Sequence, residues 1–158
     1  MHTSNIDSSL PKPALYAQLA GELRSLIDGE PDMIANLANA AALLYHALPQ
    51  LNWCGFYLLK GGELVVGPFQ GKPACVRIAM GKGVCGTAAA SRTSLIVPNV
   101  REFAGHIACD SASNAEIVVP MLRGNELIGV LDLDSPEFGR FDDRDREGLE
   151  RLVGVLMS

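Results

Sequence analysis

The sequence has little positive charge for its acidic content. It contains 13 Lys and Arg residues against 18 Asp and Glu residues, which gives a formal net charge of −5 at pH 7. Because a phosphate backbone is bound mainly through Lys and Arg, this balance argues against nucleic-acid binding. The same balance disfavours docking on an anionic membrane surface.

Long apolar runs are also absent. No run approaches the roughly 18 residues that a membrane-spanning helix needs. The start of the chain, MHTSNIDSSL, has no basic segment followed by an apolar stretch, so it does not resemble a secretory signal. We therefore expect the protein in the cytoplasm, where thiols are kept reduced.

Cysteine is scarce, and its spacing excludes two structural roles. The chain has four cysteines, at positions 54, 75, 85 and 109. They are too few for a disulfide scaffold, and none forms a C-x-x-C pair of the kind found in zinc ribbons. Each thiol is therefore a candidate for chemistry rather than for covalent bracing.

The composition is that of a single globular domain. With 158 residues, 48% hydrophobic and 20% charged, the chain is long enough for one core and too short for two ordinary domains. We find no repeat and no linker that would divide it. We expect residues 1–12 to form a flexible segment and residues 13–158 to form the domain.

Hydrophobic periodicity predicts helices at both ends of the chain and strands between them. Helices are expected over 13–28, from Pro31 to Pro49, and from Asp142 or Asp143 onward. Strands are expected over 51–59, 63–67, 74–80, 94–100, 116–122 and 126–134. Because most strand connections are too short for parallel crossovers, we predict an α+β fold. Its central antiparallel sheet carries the N- and C-terminal helices on one face.

The strongest candidate nucleophile is Cys109. It lies in a polar stretch, 101–114, beside Asp110 and three residues after His106. A thiolate rather than a thiol is the nucleophile, and polar surroundings with a nearby base favour the thiolate. Local sequence alone also permits a surface thiol without a function.

A pair of carboxylates is the second candidate. Side chains two apart on a strand share a face, so Asp132 and Asp134 project together. Like charges at that distance raise at least one pKa, which gives an acid able to donate a proton near neutrality. A solvated strand end is the alternative.

Two further segments are weaker candidates. Trp53 and Tyr57 flank Gly55 on one strand face and form a slot for a methyl or thioether group, although core packing explains such a pattern as well. The glycine loop GKGVCGT (81–87) enters a helix, where backbone N–H groups could bind an anion. Cys85 near that helix start is expected to have a lowered pKa.

Taken together, the segments that carry these candidates resemble the free methionine-(R)-sulfoxide reductase family, whose members are single GAF-type domains. The resemblance covers roughly residues 50–145. The matching segments are NWCGFYLL, GPFQGKPACVRI, GKGVCGTAA, GHIACDSASNAEIVVP and GVLDLDSPEFGRFD.

The resemblance implies roles for individual residues. Cys109 corresponds to the catalytic cysteine, Cys75 to the usual resolving cysteine, and Cys85 to an accessory or alternative one. The expected acids around the sulfoxide are Glu116, Asp132 and Asp134. Trp53, with Tyr57 beside it, corresponds to the aromatic wall of the methyl pocket. Cys54 departs from the family pattern, and we expect it to be a small buried hydrophobe.

The resemblance also implies a reaction and its partners. Free methionine-(R)-sulfoxide would be reduced through a Cys109 sulfenic acid and a disulfide that thioredoxin recycles, with no metal and no organic cofactor. A homodimer through the terminal helices is expected. Two other functions stay open: a non-catalytic GAF-type ligand-binding module, and a redox sensor in which Cys109 and Cys75 form a regulatory disulfide.

Overall fold

The computed structural model describes residues 3–158. Its helices and strands follow one another along the chain in an order close to the expected one. The helices are α1 (Lys12–Ile27), α2 (Met33–Ala47), α3 (Gly83–Ser91) and α4 (Asp143–Met157), with a 3-10 turn at Val100–Glu102. The strands are β1 (Trp53–Lys60), β2 (Glu63–Gly71), β3 (Arg77–Ala79), β4 (Leu95–Val97), β5 (Ala115–Arg123) and β6 (Glu126–Ser135).

The six strands form one antiparallel sheet in the order β3-β2-β1-β6-β5-β4. Two hairpins, β1–β2 and β5–β6, make the two halves, and the pairing of β1 with β6 joins them. Tight turns at Gly61-Gly62 and at Gly124 close the hairpins, and each of these glycines has a positive φ. The predicted α+β class with a central antiparallel sheet is confirmed.

The sheet separates two hydrophobic cores. The helices α1, α2 and α4 cover one face, as predicted for the N- and C-terminal helices, and they bury Cys54, Phe56 and Leu58 of β1. The other face carries α3 and buries Trp53 and Tyr57 of the same strand. Alternate residues of β1 therefore serve different cores, as the two-residue period of a strand requires.

Two predicted strands are shorter in the structure than in the sequence analysis. The strand expected over 74–80 is limited to Arg77–Ala79, because the chain before it turns to bring Cys75 against Cys109. The strand expected over 94–100 ends at Val97. Pro98 follows and lacks a backbone N–H, and the side chain of Asn99 then caps the 3-10 turn.

The structure describes only part of the N-terminal segment that was predicted to be flexible. Residues 1 and 2 lie outside the described residues, so the flexible segment over 1–12 stays a prediction. Further along, Ile6 and Leu10 pack against the first core, and α1 begins at Lys12. None of the helices within 3–158 combines the length and the apolar character needed to cross a membrane.

A buried acid connects the first and last helices. Asp145 is 1% exposed and closes the capping box of α4 with Asp142. Its carboxylate accepts hydrogen bonds from Lys12 Nζ at 2.7 Å and from the Tyr16 hydroxyl at 2.7 Å. The Arg140 guanidinium lies 3.5 Å away. One side chain of α4 thus satisfies donors from α1 and from the segment before α4.

Replacing this acid should destabilise the protein strongly. We expect Asp145→Ala to lower the free energy of unfolding by about 3–5 kcal/mol, because it leaves buried cationic and hydroxyl donors without a partner. Urea unfolding under non-reducing conditions measures the change. The control is Asp143→Ala, in the same helical turn, whose side chain is 74% exposed. Equal losses in the two variants would contradict this role for Asp145.

Candidate active site

Strand register brings three carboxylates together on the α3 face of the sheet. Asp134 of β6 lies directly opposite Glu116 of β5. Asp132 lies two residues before Asp134 on β6, so it is on the same face. On the other side of β6, Trp53 pairs with Asp134 and Gly55 pairs with Asp132. The predicted pairing of Asp132 and Asp134 on one face is therefore present, and Glu116 joins them from the next strand.

These acids line a narrow pocket between the sheet and α3. The pocket has a volume of about 50 Å³. This is a few times the roughly 10–15 Å³ that one water molecule requires. Every residue predicted for the site borders it except Cys75, which is bonded to a bordering residue. The predicted members are Trp53, Tyr57, Cys85, Cys109, Glu116, Asp132 and Asp134.

The aromatic wall also positions the segment that carries Cys75. Trp53 stacks on Tyr57 at 5.8 Å and on Phe69 at 5.2 Å between ring centroids. Its indole N–H donates to the Lys72 carbonyl at 3.1 Å. The Tyr57 hydroxyl donates to the Cys75 carbonyl at 2.9 Å. The side chains that form the wall thus hold the backbone of residues 72–75 over the pocket.

Cys75 and Cys109 are joined by a disulfide at the mouth of the pocket. Cys75 precedes β3 at one edge of the sheet, and Cys109 lies in the segment after β4 at the other edge. The two segments meet above the central strands. The remaining cysteines, Cys54 and Cys85, are free and buried. Cys54 lies in the first core, away from the pocket, as expected.

Cys85 corrects one expectation. Its thiol is buried on the floor of the pocket, with Sγ 3.8 Å from Glu116 Oε1. Burial raises the pKa of this thiol well above its ordinary value, and the neighbouring Asp132 and Glu116 raise it further. The lowered pKa predicted from the helix start is therefore wrong, because local desolvation and negative charge outweigh the helix N-terminus.

The glycine loop before α3 is less open to anions than its sequence suggested. The backbone N–H groups of Gly81 and Gly86 donate to carbonyl oxygens within the same loop, and that of Lys82 donates to the Ala79 carbonyl at the end of β3. Gly83 and Val84 reach the pocket instead. An anion site over the whole of 81–87 is not supported, since these donors already have partners.

All three carboxylates have raised pKa values. Glu116 is 6% exposed and Asp132 is 5% exposed, while Asp134 is half-buried. Burial, followed by the charges of Asp132 and Asp134, raises the pKa of Glu116 well above its ordinary value. Burial also raises the pKa of Asp132, and burial with the charge of Asp132 raises that of Asp134. Three ionised carboxylates at this spacing would repel one another, so full ionisation of the cluster is disfavoured.

Sequence reasoning missed part of the pocket rim. Asn52 donates from Nδ2 to Asp110 Oδ2 at 3.2 Å and to Ser113 Oγ at 3.0 Å. The Ala112 backbone N–H, with help from Asn52 and Lys72, lowers the pKa of Asp110, which keeps this carboxylate charged. A polar residue at the entrance of an otherwise apolar strand was the available signal for Asn52.

His106 has a different neighbour from the one that its sequence position suggested. Its Nε2 lies 3.9 Å from Glu116 Oε2, and burial lowers the pKa of the imidazole. The sequence placed this histidine three residues before Cys109 as a nearby base. The structure instead sets it beside Glu116, whose pKa is raised by burial.

Comparison with known proteins identifies both the fold and the family. The GAF domain model matches residues 32–157. The chain is 54% identical over 145 residues to the free methionine-R-sulfoxide reductase of Escherichia coli, covering 92% of this chain and 88% of the relative. The free methionine-R-sulfoxide reductase of Neisseria meningitidis, solved with its substrate, is 42% identical with a TM-score of 0.95. That match covers 99% of this chain and 94% of the other.

A third neighbour, from Burkholderia vietnamiensis, is a suspected GAF sensor. It is 60% identical with a TM-score of 0.92, over 94% of this chain and 95% of the other. Fold and family model together define the chain as a GAF domain. Within that class, its cysteine-bearing pocket and its identity to the named reductases assign it further. The chain belongs to the free methionine-R-sulfoxide reductase family.

The raised pKa of Glu116 predicts a pH-dependent cost to stability. A carboxyl whose pKa is higher in the folded state is stabilising only while protonated, so stability falls as pH rises above about 4.3, the unfolded glutamate value. Glu116→Gln removes this titration. We expect the variant to gain stability relative to the unsubstituted protein as pH rises from about 5 to about 8, since the gain tracks ionisation of the acid.

Urea unfolding at several pH values, without reductant, measures this difference. The matched control is Glu126→Gln, an exposed glutamate at the start of β6, which should show no such trend. A stability difference independent of pH would show that Glu116 is ionised in the folded protein.

Proposed function

We propose that this protein reduces free L-methionine-(R)-sulfoxide to methionine at the pocket between α3 and the sheet. The observation that carries the proposal is the Cys75–Cys109 disulfide at the mouth of an acid-lined, aromatic-walled pocket. A ligand-binding module needs the pocket but not the adjoining redox pair. A simple redox sensor needs the pair but not the buried acids.

The first step is protonation of the sulfoxide oxygen. The pKa values of Glu116, Asp132 and Asp134 are all raised in the pocket, which supports one of them as the general acid. Glu116 is the best candidate, because burial and two neighbouring carboxylates raise its pKa well above its ordinary value. Protonation draws electrons from sulfur and makes it an electrophile.

The thiolate of Cys109 in the reduced protein then attacks the sulfur. The S–O bond of the substrate breaks as its oxygen is transferred to the Cys109 sulfur, so two electrons pass to the substrate, which leaves as methionine, and Cys109 becomes a sulfenic acid. The thiol of Cys75 condenses with this sulfenic acid, releasing water and forming the disulfide. The pairing of these two cysteines in the structure supports Cys75 as the main resolving thiol. Cys85, buried and protonated, is the second choice.

The pocket also supports selectivity for a free amino acid. Trp53 and Tyr57 offer an apolar wall for the methyl and thioether groups. Asp132 Oδ1 is buried and has no hydrogen-bond partner among the described residues, so it is available to a polar group of a ligand. A space this narrow does not admit a peptide chain.

A protein dithiol such as thioredoxin is the proposed reductant. Thiol–disulfide exchange requires an external thiolate to reach one of the two sulfurs. Cys109 lies in an exposed segment, and apolar side chains flank the disulfide on both sides: Val76 at 60% exposure and Ile107 at 38%. Exposed apolar groups around a reactive bond favour docking of a protein surface. A homodimer through the terminal helices remains part of the proposal.

The cysteine roles predict distinct single-turnover behaviour. Cys109→Ser should release no methionine from the R epimer, because the nucleophile is lost. Cys75→Ser should release one methionine per chain and then stop with thioredoxin as reductant, because the sulfenic acid cannot be resolved. Rapid-quench assays with separate R and S epimers measure both results.

Cys54→Ala is the control, since this buried thiol lies on the opposite face of the sheet. It should retain full recycling. Binding of the sulfoxide with no methionine release by the unsubstituted protein would favour the ligand-binding function. Recycling by Cys75→Ser at the unsubstituted rate would move the resolving role to Cys85.

The exposed apolar side chains beside the disulfide, Val76 and Ile107, predict that a substitution there affects turnover with thioredoxin but not with a small thiol. Val76→Asp should slow thioredoxin-dependent turnover by about tenfold or more, since roughly 1.4 kcal/mol of lost docking energy corresponds to that factor. Dithiothreitol-dependent turnover should be unchanged, because a small thiol needs no docking surface. Steady-state assays with each reductant measure this, with Ile34→Asp as the charge-matched control, since Ile34 is an exposed apolar residue of α2 on the opposite face of the sheet. Equal effects on both reductants would contradict the docking role.

A further inference from the structure

Three possible metal ligands converge on the floor of the pocket from three different elements. Cys85 Sγ on α3, a Glu116 carboxylate oxygen on β5 and an Asp132 carboxylate oxygen on β6 all lie within 4.8 Å of one another. All three residues are buried. Because each sits on a helix or a strand rather than on a flexible loop, their spacing is held by the fold.

The separation of the sulfur and one carboxylate oxygen is close to that in a zinc site. In a tetrahedral zinc site with Zn–S of about 2.3 Å and Zn–O of about 2.0 Å, a sulfur and an oxygen ligand lie about 3.5 Å apart. The observed separation of Cys85 Sγ and Glu116 Oε1 is 3.8 Å. A shift of one side-chain atom by a few tenths of an ångström closes that difference.

An independent feature of the same cluster calls for a ligand. Asp132 is 5% exposed, and its Oδ1 has no hydrogen-bond partner among the described residues. A buried polar atom without a partner is costly, and native proteins rarely leave one without a reason. A bound cation would satisfy this oxygen.

The donor set selects the kind of metal. One thiolate with two carboxylates is unsuitable for Mg²⁺ or Ca²⁺, which take oxygen ligands, and suits the borderline-soft Zn²⁺. Three protein ligands leave a fourth position open toward the pocket, where water completes a tetrahedron. The His106 imidazole, 3.9 Å from Glu116 Oε2, is placed to orient that carboxylate from outside the site.

We propose that Cys85, Glu116 and Asp132 bind one Zn²⁺ ion in the pocket, with release to solvent of the protons that these groups carry. The ion is not a participant in the reduction of the sulfoxide. Binding of the metal itself is independent of the proposed function. A second consequence does rest on that function: zinc and methionine sulfoxide occupy the same acids, so each should displace the other.

Cobalt is the probe for the site, because Co²⁺ replaces Zn²⁺ and has visible absorption. The oxidised protein is titrated with Co²⁺, since the disulfide removes Cys75 and Cys109 as ligands and leaves two free thiols. We expect one equivalent to bind, with a thiolate-to-cobalt charge-transfer band in the near ultraviolet and tetrahedral bands in the visible. Zn²⁺ should abolish both sets of bands.

Variants assign the ligands. Cys85→Ser should abolish the charge-transfer band and weaken binding by more than about 100-fold, beyond the loss typical of outer-shell changes. Asp132→Asn should weaken binding while keeping the band. Cys54→Ala should leave both unchanged, and far-ultraviolet circular dichroism checks that each variant is folded. Absence of the band in folded oxidised protein, or its loss in Cys54→Ala instead, would overturn the site.

Displacement tests the second consequence separately. A Cys75→Ser, Cys109→Ser double variant has no redox pair, so it can hold methionine sulfoxide without reducing it. Adding the sulfoxide to its cobalt complex should release the metal and bleach the bands. Persistence of the bands at saturating sulfoxide would show that the ligand lies elsewhere. That result would leave the metal site standing and would count against the proposed substrate pocket.

Discussion

The site depends on the pairing of Glu116 and Asp134 directly across β5 and β6. Two carboxylates opposite each other in an antiparallel pair repel when both are ionised, and here Asp132 adds a third charge nearby. Burial makes ionisation still less favourable. Protonation of part of the cluster relieves this repulsion. A carboxyl group with a raised pKa keeps its proton to a higher pH than an exposed carboxyl group does, so the same burial that costs stability favours an acid role.

The two faces of the sheet divide stability from chemistry. One face carries α1, α2 and α4 over a large apolar core, strengthened by Asp145 and its donors. The other face carries the smaller core beneath α3, with the acids, Cys85 and the aromatic wall. The first core supplies the stability that a cluster of buried carboxylates reduces. Because side chains alternate along β1 and β6, adjacent residues of one strand contribute to the stabilising core and to the site in turn.

Much of this arrangement was predictable from sequence, because it follows from local periodicity. The terminal helices, the two hairpins, the shared face of Asp132 and Asp134 and the burial of Cys54 all follow from spacing. Features set by tertiary packing were not. Helix α3 is built largely of small residues with no distinct apolar stripe, so nothing in its sequence indicated that it forms a layer over the site. The pKa of Cys85 was predicted in the wrong direction because the carboxylates around it come from distant strands. The hydrogen bonds from Trp53 and Tyr57 to residues 72–75 have no sequence signal at all.

The disulfide joins two segments, 34 residues apart in sequence, that come from opposite edges of the sheet. One cysteine arrives beside β3 and the other from beyond β4, so the bond works as a clasp over the central strands. In the proposed cycle, the electron pair that opens the clasp also frees both flanking segments to move apart. Reduction of the enzyme and opening of its pocket would then be a single event. An oxidised molecule would stay closed to new substrate until a reductant had restored its two thiols.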